Sequence, residues 1–390
     1  MNWYEINMEP RDLLFFRDAK PMKASSIGEG ARIPYPHLFY DALIASFHEE
    51  WPELEDWEFE HFHPHKGEKG RMRFGGLKTL GVFPVCKDEV YLPVPADIAT
   101  DGNDVARLWK PPGKNNLPSP LDFTVWNDVK RRKEKAGDWI SAGELNKYLS
   151  GEQFSLVKNE DLFWAECRPG IGIDPETHST DEGKFYLAEY MRLAKGVSLK
   201  GFASCRTSRR GENGEDVIGR YFSGGRREFI FGGQRGTVSA SATSGSPDFP
   251  SRGAGKRVKW VLLTPAIFMA GWRPGWVGDD GNLLLPADRP TRLPDERRED
   301  WRKKFGKTIK AKLVAARLAK PDIISGWNLR TGGPRAVRLT VPAGSVYYFE
   351  AVTEEDARAL RESLSSLGGK SDLLGEKGYG FGVCGSWDLY

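Results

Sequence analysis

The chain has 390 residues, 39% of them hydrophobic and 12% aromatic, which leaves room for roughly two or three packed domains and excludes a disordered protein. A formal net charge of +3 is too small to signal a nucleic-acid partner by itself, so the distribution of charge has to decide. Four cysteines, Cys86, Cys167, Cys205 and Cys384, form no CxxC pair, which excludes a zinc-knuckle or disulfide-framework signature and suits an intracellular compartment.

The opening MNWYEINMEPRDLLFF carries acids and no long apolar run, so a soluble cytoplasmic protein with no membrane partner is expected. Residues 3–8 alternate as a strand. EPRDLLFFRDAKPM sets Arg11, Arg17, Lys20 and Lys23 around an apolar centre, and SSIGEGARIPYP reads as a loop. PHLFYDALIASFHEEW is predicted helical, opened by Pro36, with Phe39, Leu43 and Phe47 on one face. Residues 61–92 are strand-like. Residues 97–160 are polar and proline-rich, with a charged helical piece around NDVKRRKEKAGDW, and read as an insertion rather than core. LFWAECRPGIGID and GKFYLAEYMRLAKGVSLKGFAS are strand-like again. The Gly-, Ser- and Arg-rich stretch 206–256 is expected to be a mobile loop. VKWVLLTPAIF follows as a buried strand, and RREDWRKKFGKTIKAKLVAARLAK as a basic segment, helical in its second half. AGSVYYFEAV is a strand with Val346, Tyr348 and Glu350 on one side and Tyr347, Phe349 and Ala351 on the other. Thr353 caps a helix with the stripe Ala357, Leu360, Leu364 and Leu367, stopped by Gly368 and Gly369.

The N-terminal half thus reads β, basic loop, α, β, and the C-terminal half β, α, glycine loop, β. This pattern predicts an α+β fold of two ferredoxin-like (RRM-like) βαββαβ domains packed together, residues 1–200 and 201–390, with polar insertions and long Gly/Arg-rich loops.

Three constellations bear on chemistry. The run GEKGYGFGVCGSW, with its glycine-rich loop 375–385, has no helix after it, so it is neither a Rossmann nor a P-loop element. HFHPH places His61, His63 and His65 two residues apart. On a strand they share a face suited to a metal or to acid–base work, but Pro64 disturbs pairing and no carboxylates complete a metal shell, so an exposed polar loop is the simpler reading. No carboxylate array for phosphodiester cleavage is present either; no catalytic residue, metal or cofactor is expected. The third constellation is a recurring combination of Arg or Lys with Gly and aromatics. It appears in FFRDAKPMKASSIGEGAR, RMRFGG, RPGIG, CRTSRRGENG, FSGGRREFIFGGQRG and NLRTGGPRAVR. Arginine forks suit phosphate, glycines permit close backbone approach, and aromatics stack on unpaired bases. Each loop alone is an ordinary solvated turn; together they favour a nucleic-acid backbone.

RDLLFFRDAKPM, FGGLKTLGVFPV, RPGIGIDPETHSTDEGKFYLAEYMRL, WVLLTPAIFMAGWRP, LAKPDIISGWNL, PAGSVYYFE and GYGFGVCGSW, in this order, resemble one family from Arg11 to Trp387. It is the RAMP-superfamily subunit three of the type III-B CRISPR effector, the Cmr complex, that holds the 5′ end of the guide RNA. The resemblance implies two ferredoxin-like domains, no nuclease activity, binding of the repeat-derived 5′ tag of crRNA, and antiviral defence as the setting. It also implies docking to the large polymerase-like subunit and to the filament-forming backbone RAMP subunit. The family's N-terminal loop often reads RDGRPF and is RDAKPM here, so Lys20 keeps a charge without the bidentate fork.

The RNA-binding candidates are therefore Arg17, Lys20, Arg32, Arg168, Arg235 and Arg335, with Gly378, Gly380 and Gly382 lending backbone amides and Tyr379 and Phe381 stacking surfaces. The simpler reading of the last set is that the glycines allow close packing of the terminal strand, with Phe381 in the core. Two rivals stay open: a metal-independent endoribonuclease using His37 or the 61–65 histidines, and a protein-only scaffold.

Overall fold

The computed structural model describes residues 2–17, 27–51, 74–99, 104–113, 115–126, 137–173, 176–177, 179–206, 215–287, 297–328 and 333–389. Lys20, His61, His63, His65 and the charged piece at 127–136 lie outside the described residues. In chain order the principal elements are β1 (Tyr4–Pro10), α1 (Pro36–Glu50), β2 (Lys78–Cys86), β3 (Glu89–Pro93), β4 (Trp139–Ser141) and α2 (Ala142–Ser150). Then come β5 (Phe163–Ile173), β6 (Thr180–Leu193), β7 (Val197–Ser204), α3 (Val217–Tyr221), β8 (Arg227–Ile230) and β9 (Thr237–Ser244). The chain continues with β10 (Arg257–Leu262), α4 (Arg298–Lys303), β11 (Ala311–Arg317), β12 (Val346–Ala351), α5 (Glu354–Leu364) and β13 (Gly382–Gly385).

The molecule is mixed α/β, rich in antiparallel sheet and sparse in helix. The first sheet runs β8-β9-β1-β7-β2-β3-β4 with every neighbour antiparallel. Counting β1, β2, β7 and β9 as first to fourth, its centre has the order fourth-first-third-second, with α1 after the first strand and α3 after the third. The second sheet runs β11-β12-β10-β13, the same order read from the opposite edge. There α5 follows the third strand, and among the described residues the helix in the connection after the first strand is the short α4. Besides these, β5 and β6 form a long antiparallel hairpin.

Three hydrophobic clusters stack these parts as helix, sheet, sheet, helix. Phe39, Leu43 and Phe47 of α1, the predicted stripe, pack with Ile218 and Tyr221 of α3 on Ile6, Met8, Leu199 and Val238 of the first sheet. Gly201 in β7 makes that approach possible, since a Cβ there would lie 2.5 Å from the Phe39 ring. Leu80, Phe83 and Phe202 on the other face meet Val261, Val346 and Tyr348 of the second sheet. The far face of that sheet, Trp260, Tyr347 and Phe349, buries Ala357, Leu360 and Leu364 of α5. The two-sided alternation read in β12 is thus used in full, with one face against each layer. Thr353 caps α5 by accepting the Asp356 N–H at 3.0 Å.

Several expectations are corrected. The last strand of the first sheet is β9, ending at Ser244, so the chain passes from one large sheet to the other between β9 and β10, not at residue 200, which lies inside β7. The described part of 206–256 is no single loop. It holds α3, β8 and β9, followed by a strap whose Phe249 ring packs 5.5–5.9 Å from Phe83, Phe202 and Phe381. Region 97–160 is no mere insertion either: Leu108, Ile140, Leu145 and Tyr148 sit in the core between the sheets. The second half of the basic segment is β11, not a helix, because it completes the edge beside β12.

Both outer strands of the second sheet are covered. Along β13, the Arg252 N–H donates to the Cys384 carbonyl at 2.7 Å and Ser251 Oγ accepts the Cys384 N–H at 3.1 Å. Along β11, the Leu313 N–H donates to Gly281 O at 2.9 Å, and the Asp122 and Phe123 N–H groups both donate to Val314 O at 3.0 Å.

One polar cluster is buried between the sheets. The Tyr148 hydroxyl donates to Asp97 at 2.7 Å, the Tyr348 hydroxyl at 3.1 Å, and Lys259 Nζ lies 3.7 Å from the same carboxylate and 3.9 Å from the centre of the Tyr148 ring. Burial pulls the Lys259 ammonium below its usual range, against the attraction of Asp97. Among the described residues no helix is long and apolar enough to cross a membrane.

Candidate nucleic-acid interface

The predicted site residues fall into three places. Gly378 to Gly382 are interior. Tyr379 is fully buried and Phe381 nearly so, packed on Phe249, so neither ring is exposed for a base to stack on. Their amides are committed to the protein as well. Gly378 donates to Gly375 O at 3.1 Å, Tyr379 to Leu374 O at 3.3 Å, Gly380 to Pro265 O at 2.8 Å and Phe381 to Thr264 Oγ1 at 2.9 Å. A Cβ on Gly378, Gly380 or Gly382 would lie 2.8 Å from Thr79 O, 2.2 Å from Ser371 N or 2.4 Å from Val261 O. The glycines are there for close approach of protein to protein, which replaces the expectation that they and the two rings face RNA.

Arg17, Arg168 and Arg235 gather around residues 11–17. The Gly233 N–H donates to Phe15 O at 2.8 Å, which sets the β8–β9 turn carrying Arg235 beside the segment that leads to Arg17. Both arginines are exposed. Arg168, on β5, pairs with Asp12 at 3.3 Å and Glu166 at 3.1 Å. Part of its charge is therefore neutralised within the molecule.

Arg335 lies in a cleft of about 210 Å³ at the seam between α1 and the C-terminal half, lined also by His37, Ile324, Arg338, Leu374 and Lys377; Arg32 is not in its lining. The helix starts at Pro36, whose missing N–H is no loss in the first turn, and it presents His37 and, one turn on, Asp41 to the seam. Asp41 accepts from Lys377 Nζ at 2.7 Å and from Arg335 at 3.1 Å. Burial works to raise the Asp41 carboxyl; Lys377, His37 and Arg335 together outweigh it and hold the group below its usual range. Arg32 donates to the Tyr35 hydroxyl at 2.5 Å and to Asp322 at 3.3 Å, with its guanidinium 4.3 Å from the Tyr35 ring centre. Its Nε is buried without a hydrogen-bond partner. Arg338 has no ion-pair partner among the described residues. Three cations, Arg335, Arg338 and Lys377, thus line the cleft against the one carboxylate that pairs with two of them, Asp41, and the cleft is left positive. Fixed guanidinium forks beside a concave surface suit phosphate.

His37 is buried at the back of this cleft, its Nδ1 2.7 Å from the Tyr379 hydroxyl. Burial lowers its pKa to about 4, opposed by Asp41 and assisted by Lys377 and Arg335, so the ring is neutral at pH 7. It is a poor proton donor there. Among the described residues no group of three or more His, Cys, Asp or Glu is placed to hold a metal ion. Sequence reading missed Asp41, Arg338 and Lys377. Lys377 stands inside the quoted glycine run, and Arg338 ends one of the Arg/Gly loops, NLRTGGPRAVR; each was within reach.

Residues 6–387 match the family described as CRISPR-associated protein (Cas_Cmr3). Among solved structures the chain is similar to one in the cryo-EM structure of the Type III-B Cmr-beta bound to cognate target RNA, at 13% identity, covering 88% of this chain and 86% of that one with a TM-score of 0.44. It is similar to a chain of the Csm3-Csm4 subcomplex in the type III-A CRISPR-Cas interference complex, at 10% identity over 91% and 94% of the two chains, TM-score 0.38. A third is in the Csm1-Csm4 cassette in complex with pppApA, at 14% identity over 89% and 87%, TM-score 0.33. No curated protein matches.

Proposed function

The chain belongs to the Cas_Cmr3 family of CRISPR-associated proteins, and from that premise we propose that it is the non-catalytic subunit of a type III-B effector complex that holds the 5′ tag of the crRNA. Its partners in this reading are the tag RNA, the large polymerase-like subunit and the filament-forming backbone subunit. We read the two sheets as two ferredoxin-like units; their shared strand order supports this. The observation that carries the RNA-binding role is the positive cleft at the seam, where Arg335, Arg338 and Lys377 outnumber their one carboxylate, Asp41. Arg17 and Arg235 add two exposed cations near Phe15 and Phe16, the latter tied by its N–H to Gly30 of the segment that leads to Arg32. The neutral, hydrogen-bonded His37 supports recognition over cleavage.

The test is nuclease protection of the tag in the reconstituted complex. Arg335→Ala with Arg338→Ala is expected to leave assembly intact and to expose the tag. It should also lower the slope of log affinity against log salt by about one unit for each phosphate no longer neutralised. Unchanged protection would favour a protein-only scaffold. Specific cleavage of repeat RNA that disappears in His37→Gln would overturn the non-catalytic reading.

A further inference from the structure

A second concavity, of about 590 Å³, opens where the C-terminal turn of α2 meets residues 104–107 and 386–388, and it shares no lining residue with the cleft at the seam. Its volume falls in the range of about 300–1,000 Å³ usual for ligand sites. Asp97, Tyr148, Lys259 and Tyr348, all buried, make its floor. Both tyrosine hydroxyls donate to Asp97, so that carboxylate is well supplied with donors. Lys259 is not equally supplied with acceptors. It is 5% exposed, and its nearest partner, the Asp97 carboxylate, is 3.7 Å away, beyond hydrogen-bond reach. Among the described residues the ammonium has that ion pair and the Tyr148 ring, and no hydrogen bond of ordinary length. A buried ammonium whose donors lack acceptors, standing at the floor of a cavity, calls for an oxygen brought in by a ligand.

The mouth of the cavity says what the rest of that ligand is. Half-buried Asp104 and exposed Glu152 and Asp388 stand there with one cation, Arg107. Among the described residues none of these four charges makes an ion pair. Residues 148–150 end α2, and the partial negative charge of a helix C-terminus adds to the three carboxylates. A phosphate is repelled by such a rim. A metal ion is not held either, since among the described residues no group of three or more His, Cys, Asp or Glu is placed for one. An extended organic cation can reach dispersed carboxylates, and half-buried Phe154 in the lining offers a ring to a flat guanidinium. An acceptor oxygen at the floor joined to a guanidinium at the rim is the chemistry of an arginine residue within a peptide.

We propose that this cavity binds an arginine-bearing peptide segment of a neighbouring protein, with a main-chain carbonyl on Lys259 and the guanidinium among Asp104, Glu152 and Asp388. The full chain is titrated by calorimetry with acetyl-Gly-Arg-Gly-amide. Butylguanidinium keeps the charge and loses the carbonyls; acetyl-Gly-norleucine-Gly-amide keeps the carbonyls and loses the charge. Each is expected to bind about tenfold or more weakly than the arginine peptide. Glu152→Gln combined with Asp388→Asn changes two exposed side chains. It should weaken the peptide about fivefold or more and make its affinity less sensitive to salt, with the urea midpoint unchanged. In Lys259→Met the peptide should lose its advantage over butylguanidinium. Arg335→Ala with Arg338→Ala should leave peptide binding as in wild type, so this site and the seam cleft fail separately. The proposal is overturned by a wild type that does not bind the arginine peptide, by butylguanidinium or spermidine binding as tightly as the peptide, or by peptide binding that Glu152→Gln with Asp388→Asn leaves untouched.

Discussion

His37 and Tyr379, 342 positions apart, share one hydrogen bond in the interior, and that contact gives the protein a pH response. The folded-state pKa of about 4 lies below the ordinary 6.5. As pH falls below about 6.5 the unfolded chain takes up a proton that the folded one refuses, so stability is full above that value and is lost on the way down to about 4. The loss is about 3 kcal/mol at its limit. Urea unfolding at pH 7 and pH 4.5 should show it, and His37→Phe should flatten this part of the profile; an NMR titration placing the imidazole near 6.5 would contradict it. The residues of this contact were visible in the sequence, but their burial was not. An aromatic between glycines has the same spelling whether it stacks on a base or fills a core, and the choice is made by segments hundreds of residues away.

Among the elements, the glycine loop and α5 show how unevenly local signals carry. Thr353, the acidic first turn and the alternation of β12 were legible because each acts within a few residues. The segment AKLVAAR was not: its Ala, Leu and Lys favour a helix, and pairing with β12 overrides them. The glycines were legible as a demand for close approach, without the identity of what approaches. Gly380 has φ +74° and a would-be Cβ 2.2 Å from Ser371 N, so Gly380→Ala should destabilise by more than about 1 kcal/mol. The expected sign is a lower urea midpoint with an unchanged m-value. A variant of native stability that exposes the tag would restore the loop as an RNA clamp.

At the scale of the molecule, the Asp97 cluster joins α2, two strands of the second sheet and the 94–99 connection at one point, and no motif in the sequence announced it. Asp97→Ala leaves the Lys259 ammonium buried without its counter-ion and should remove about 3–5 kcal/mol. Adding Lys259→Met should recover much of it, read by chemical denaturation; a double variant as weak as the single would mean that the tyrosine bonds, not the charge, dominate. The covered margins of the second sheet have a different kind of consequence. With residues 251–252 laid along β13 and residues 122–123 and 281 along β11, neither rim offers a free ladder of amides and carbonyls. A visiting strand cannot lengthen this sheet at either end, which guards it against edge-to-edge aggregation and bars β-augmentation as a docking mode. A neighbour that meets the rims of this sheet must grip them by side chains and loops.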